Sequence, residues 1–243
     1  MKKLTAIPAI IFLLSSHSFA ASLPPLTKME SAALHTALIN DAEVALDGGK
    51  SIYDYGVIYA SANDMQRVYS ANEVKGDRIF KGRKVAINGV VESITSGVND
   101  VPVVGLETDD RIRNVNLEFA KKYEDIAVDL FKGQTVSFVC IGGTVIMGFP
   151  SVNECEPLKS AGEKLAEEKL AEIEKELSNG EITDIRTLRV IPQVKMYTKS
   201  SGNYTKCKPS ELTCLTRELR KYMSENPNAS AEVDEIIKQY KKD

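Results

Sequence analysis

Between Lys84 and Asn153 the chain gives up helical spacing for alternation of period two, and this change most restricts the folds open to it. Over Lys84–Ile94, Val85, Ile87, Gly89, Val91 and Ser93 share one face, and Ala86, Asn88, Val90, Glu92 and Ile94 the other. Thr95–Asp100 is a turn-rich loop and Val101–Thr108 a second strand, which Asp109-Asp110 turns into a third, Asn114–Phe119. Ala120–Leu130 returns to helical spacing, with Ala120, Tyr123, Ala127 and Leu130 on one stripe. Gln134–Ile141 and Thr144–Asn153 read as two further strands, and Gly142-Gly143 between them is a hairpin signal.

Strand, strand, strand, helix, strand, strand is the order of an OB barrel, whose helix lies between the third and fourth strands. The predicted fold class is α+β: a five-stranded OB-fold β-barrel with flanking N-terminal and C-terminal helices. Upstream, Thr27–Leu46 carries apolar residues at helical spacing and ends at Gly48-Gly49. Ser51–Ala62, rich in Tyr and Ile, fits either an extended segment or more helix. Asn63–Ala71 reads as a short helix with Asn63 as its N-cap and Asp64 in its first turn. Downstream, Ser160–Asn179 is a charged helix with a narrow stripe of Ala166, Leu170, Ile173 and Leu177, and Gly180 stands at its C′ position. Glu181–Thr198 is ambiguous, an extended segment being one reading, with Pro192 arguing against a central strand. Glu211–Met223 and Ala231–Lys241, the latter capped by Ser230, form a helical appendix broken at Asn226-Pro227-Asn228. The expected divisions are a leader at 1–20, a helical region at 21–67, the barrel at 68–158, a charged helix and connector at 159–199, and a helical extension at 200–243.

Met1–Ala20 has the parts of a secretory signal. Lys2 and Lys3 precede the apolar Ile7–Leu14, and Ser18-Phe19-Ala20 places small residues at −3 and −1. The expectation is a periplasmic or secreted product cleaved near Ala20. No segment approaches the roughly 20 apolar residues a spanning helix requires. Four cysteines, Cys140, Cys155, Cys207 and Cys214, suit two disulfides in an oxidising compartment. Three pairings are open, of which proximity favours Cys140–Cys155 with Cys207–Cys214. Zinc is disfavoured by the absence of a Cys-x-x-Cys pair and by a single histidine, His35, beyond the leader.

Short pieces of Val68–Leu158 also resemble a known family. They are Asn72-Glu73-Val74, Phe80-Lys81-Gly82-Arg83-Lys84-Val85, Asn88-Gly89-Val90-Val91, Lys132-Gly133-Gln134-Thr135-Val136 and Cys155, in that order. In order and spacing they resemble the secreted OB-fold family called tRNA-anticodon-like. That resemblance implies a barrel of this topology; it brings no catalytic residue and does not imply tRNA binding.

The chemistry is sparse. His35 sits in the N-terminal helix without an evident partner, all four cysteines are better read as bridged, and no nucleophile-elbow, dinucleotide or phosphate-loop pattern occurs. Asp109-Asp110 is the sharpest pair of carboxylates, and a β-turn explains it more simply. No catalytic site, metal or cofactor is therefore expected, and no calcium-loop pattern supports Asp100, Asp109 and Asp110 as cation ligands. Nucleic acid is disfavoured too. From Arg83 through Glu118 there is no Phe, Tyr or Trp to stack a base, and between Gly82 and Leu158 acidic residues outnumber basic ones, eleven to seven. Arg111 and Arg113 remain as a possible small anion site. The reading left is a non-catalytic exported module acting through a protein partner in the cell envelope. The alternative is a barrel face that takes an oligosaccharide or single-stranded nucleic acid.

Overall fold

The computed structural model describes residues 23–97, 100–110 and 112–240. The leader read at Met1–Ala20, Arg111, and the last lysines, Lys241 and Lys242, lie outside the described residues. The helices are α1 (Lys28–Leu46), α2 (Ala62–Ala71), α3 (Glu73–Phe80), α4 (Glu124–Asp129), α5 (Leu158–Asn179), α6 (Thr187–Ser200), α7 (Leu212–Glu225) and α8 (Ala229–Tyr240). The strands are β1 (Val57–Ser61), β2 (Lys84–Ser96), β3 (Pro102–Leu106), β4 (Val115–Phe119), β5 (Thr135–Ile146) and β6 (Phe149–Pro157).

Strand β2 closes the barrel by using both its edges. Lys84–Val90 pairs antiparallel with β5, while Val91–Ser96 pairs with β3. β3 continues to β4, β4 runs parallel to β6, and β6 returns to β5. This closed five-stranded mixed barrel with flanking helices is an α+β OB fold. β1 adds a sixth strand, parallel to the first half of β2. The alternation of β2 places Val85, Ile87 and Val91 inside with Val104, Leu106, Val115, Leu117 and Phe138. α2 contributes Ala62, Met65 and Tyr69 to the same core, and α4 contributes Ala127.

Strict alternation from the buried Val152 would turn Cys155 outward. One extra residue in β6 resets the count: Leu117 of β4 pairs with Val152, yet Phe119 pairs with Cys155. Glu154 supplies this bulge in the left-handed region, at φ 53°. Cys155 thereby faces inward and bonds Cys140 of β5. The second disulfide joins Cys207 to Cys214, beside Tyr197, Tyr204 and Leu215.

Helices α1 and α5 lie against the outer face of β2 and β5, where Ala42, Leu46, Ala161 and Leu165 bury Ala86 and Val139. Beyond the barrel, Leu34, Leu38, Ile173 and Leu177 of this pair meet Val190, Ile191 and Val194 of α6 and Tyr240 of α8. Glu30 fastens the first of these helices to the last group. Its carboxylate accepts from the Thr27 amide at 2.8 Å, completing a capping box, and from Lys195 Nζ at 2.9 Å and Thr198 Oγ1 at 3.0 Å. Burial pushes this carboxyl up, but the hydrogen bonds from Lys195 and Thr27, with the Lys195 charge and Thr198, outweigh it and hold it below the usual range.

Several local expectations need correction. Gly142-Gly143 is not a hairpin turn: β5 runs through it, and the turn is Met147-Gly148, both in the left-handed region at φ 53° and 87°. The two glycines allow close backbone approach instead. Gly142 N–H donates to Arg83 O at 2.9 Å and Gly82 N–H to Gly142 O at 2.8 Å, and a Cβ on Gly142 would overlap the Phe80 carbonyl. The ambiguous Glu181–Thr198 is mostly helix, for α6 fills most of it. Burial of Val190, Ile191, Val194 and Tyr197 on one face outweighs both the β-branched composition and the amide lost at Pro192. α2 is capped by Ser61, which accepts from Asp64 N at 3.0 Å, so Asn63 lies inside the helix. Ser230 likewise lies inside α8. In the undecided Ser51–Ala62, Asp41 accepts from the Ile52 and Tyr53 amides at 2.6 and 3.0 Å, Tyr53 is buried, and β1 follows.

Two glycines should respond oppositely to alanine. Gly142→Ala should destabilise by about 3 kcal/mol, since backbone must move. In α5 a Cβ on Gly162 would meet Glu43 and Leu46 at an ordinary 3.7 Å. Gly162→Ala should therefore stabilise by about 0.5–1 kcal/mol in urea unfolding. Glu30 predicts a pH dependence. A carboxyl depressed in the folded state stabilises fully above its unfolded pKa, about 4.3, and loses that contribution as pH falls through the folded value. Glu30→Gln should cost about 2 kcal/mol at neutral pH. The gap from the parent protein should close in urea titrations as the pH is lowered below that carboxylate range.

Candidate functional site

The outer face of β3, β4 and β6, with the loops at its end, is the barrel surface left open by the helices. Register aligns Ser93 of β2, Gly105 of β3, Asn116 of β4 and Ser151 of β6 in one row. The Ser93 and Asn114 side chains close over Gly105, where a Cβ would not fit. This row is polar, uncharged and without a ring. Glu118 is exposed beside it, and Phe149 reaches the rim half-buried. Among the described residues the exposed aromatics are Tyr59 on β1 and Phe131 in the loop before β5, and neither lies on β3 or β4.

The loop between β3 and β4 is built by its own polar residues. Asn63 of α2 donates to Asp109 Oδ1 at 3.2 Å and accepts from the Asp109 amide, while Asp110 accepts from the Ile112 amide at 3.0 Å. Asp109 is thus fixed to the helix that plugs the barrel, and Asp110 folds its own turn. At the base of α2, the hydrogen bond from Ser61 holds the Asp64 carboxyl below its usual range; burial opposes this, and the Arg67 guanidinium, 2.7 Å away, adds to it. Arg113 lies 3.6 Å from Asp110, with its chain over Gly148 of the β5–β6 turn. Its charge is therefore partly matched within its own loop. Arg111, the other arginine of the candidate anion site, lies outside the described residues.

Asp100 stands in the β2–β3 loop, at the other end of β3 from Asp109 and Asp110. Five residues of strand separate them by roughly 17 Å, so these acids do not form one cation site. Among the described residues, no three His, Cys, Asp or Glu side chains are grouped to hold a metal ion, and no cysteine is free. His35 is half-buried in α1 and its Nε2 has no hydrogen-bond partner among the described residues.

What sequence reasoning missed is the end of the barrel. The β5–β6 turn carries Ile146, 63% exposed, and Met147, 91% exposed, and the β3–β4 loop carries Ile112, 82% exposed. Arg113 on Gly148 joins the two loops. With the turn expected at Gly142-Gly143, Ile146 and Met147 fell inside a strand. The run Ile146-Met147-Gly148-Phe149 carried the signal, since a glycine between apolar residues is itself a turn mark.

A closed barrel with an open face and an apolar end defines an OB-fold binding module. The chain belongs to the family described as tRNA_anti-like, whose model matches residues 1–156, the upstream helices as well as the barrel. Among solved structures, a lipoprotein of Klebsiella pneumoniae subsp. pneumoniae named as nucleic acid-binding is similar at 16% identity and a TM-score of 0.36, over 41% of this chain and 90% of that one. No curated protein matches. Both disulfides suit an oxidising location outside the cytoplasm, and no described helix is long and apolar enough to cross a membrane.

Proposed function

We propose that the chain is a non-catalytic OB module of the cell envelope, periplasmic or secreted, that works through contact with a protein partner. The observation that carries this is the exposed trio Ile112, Ile146 and Met147 on two adjoining loops. Exposed apolar side chains grouped at one end of a domain mark interaction sites. Methionine is a suitable anchor because its unbranched chain adapts to the facing surface. Arg113 at the edge of the trio fits a partner whose apolar pocket is bordered by a carboxylate.

A second reading, an oligosaccharide on the barrel face, draws on the neutral Ser93, Asn116 and Ser151 row, whose groups suit sugar hydroxyls. Single-stranded nucleic acid is less well served, since the face offers neither stacking rings nor excess positive charge. No catalytic role is assigned to Asp109 or Asp110, because each already holds its loop in place.

The partner contact should depend on the apolar trio. In intact cells, crosslinking of the tagged chain should recover a protein that Ile146→Asp with Met147→Asp reduces by about tenfold. Those exposed changes should alter stability by no more than about 0.5 kcal/mol. Recovery of no protein in repeated crosslinking sinks the reading. Titration with short oligosaccharides and oligonucleotides decides the alternative, which gains the upper hand if binding appears and is abolished by Arg111→Ala with Arg113→Ala.

A further inference from the structure

Where α5 passes over the barrel, a cleft of about 330 Å³ opens with Ala120, Ile141, Ala161 and Leu165 among its apolar walls. Six charged side chains line it: Lys84, Lys122 and Lys164 against Glu154, Glu156 and Glu168. Four of them tie the helix to the barrel. Lys84 of β2 lies 3.2 Å from Glu168 of α5, and Lys164 of α5 pairs with Glu156 of β6. Glu156 also accepts from Ser160 Oγ at 3.2 Å.

Lys122 and Glu154 are left over. Among the described residues neither has a carboxylate or ammonium within ion-pair distance; Lys122 Nζ rests 4.5 Å from the centre of the Tyr123 ring and feels Glu156 only from farther off. Tyr123 is itself held by a 2.5 Å hydrogen bond between its hydroxyl and Ser160 Oγ. Glu154 is the residue of the β6 bulge. The bulge is required to bring Cys155 to Cys140, but the glutamate is not: at φ 53° a glycine would sit without penalty. An L-residue in that conformation, at a position that lines the cleft, is a mark of side-chain use rather than of backbone need.

We propose that this cleft binds a small zwitterion of the amino-acid or dipeptide class, with its ammonium group on Glu154, its carboxylate on Lys122 and its side chain on the apolar wall. Equal numbers of lysines and glutamates disfavour a polyanion or polycation. One unmatched charge of each sign favours a ligand that carries both. The seam between two packed layers, apolar with a few fixed polar groups, is where small-molecule sites commonly form. This site lies apart from the apolar trio and does not rest on the protein-partner reading.

The test is an NMR titration of the isotope-labelled full chain with L-alanyl-L-leucine, run beside its N-acetylated and C-amidated forms. Saturable shifts should appear at the amides of Lys122, Tyr123, Glu154 and Leu165, and each blocked form should bind at least about tenfold more weakly. Glu154→Gly should lower dipeptide affinity about tenfold while leaving the melting temperature unchanged or raised, which separates lost binding from lost folding. Lys122→Ala, at an exposed position, should weaken binding to a similar degree. The proposal is overturned if no saturable shift appears at these amides by about 50 mM dipeptide, well past the millimolar range of weak binding. It is equally overturned if the blocked forms bind as well as the free one, or if both variants bind like the parent chain.

Discussion

The architecture depends on one strand serving two neighbours in succession. β2 can leave β5 and join β3 only by coiling sharply, and the change of partner falls at Gly89–Val91. At Gly89 a side chain would press on Leu106 and Ala62 at 3.1–3.2 Å, so the absence of a Cβ lets the helix plug and the opposite strand approach together. Once β2 is fixed, its inner residues form the barrel core. Its outer Ala86, beside Val139, becomes the small flat seat on which α1 and α5 rest. Barrel and helical layer are thus two faces of one strand's alternation.

The barrel was legible because its signal is local: period two is written in consecutive residues, and the strand–helix order restricts topology further. The bulge in β6 was not legible, since an extra residue in alternation looks like a slightly longer strand until a partner strand is counted against it. The Gly-Gly pair misled for a similar reason. Glycine marks any place where a Cβ would be in the way, and approach of the Phe80–Arg83 backbone satisfies that as well as a turn does. α6 failed to announce itself because Val190, Ile191 and Val194 gain their helical preference from what they pack on, α5 and above all α1, which lies far away in sequence. Of the candidate site residues, the cysteines pair as proximity favoured among three open pairings. Asp109 needed Asn63, 46 residues distant, to show what it does.

For function, the surface divides by chemistry. The face across β3, β4 and β6 is neutral and hydrogen-bonding, the end at Met147 is apolar, and the seam under α5 is ionic with one charge of each sign unmatched. Over the barrel sequence acidic residues outnumber basic ones.

The helical layer is assembled from the two extremes of the described chain. The Leu23 amide bonds the Leu177 carbonyl at 3.2 Å, Tyr240 reaches the Pro24 carbonyl at 2.8 Å, and Glu30 waits for Lys195 and Thr198. A polypeptide delivered amino end first therefore exposes Leu34 and Leu38 of α1 for the whole time the barrel is being made, since their cover comes some 150 residues later. Loop closure over that span is entropically costly, so the barrel should form first and serve as the template on which early and late helices meet. The order of assembly expected from this is the reverse of what simple reading from the amino terminus suggests: the middle first, and then the ends closing over it.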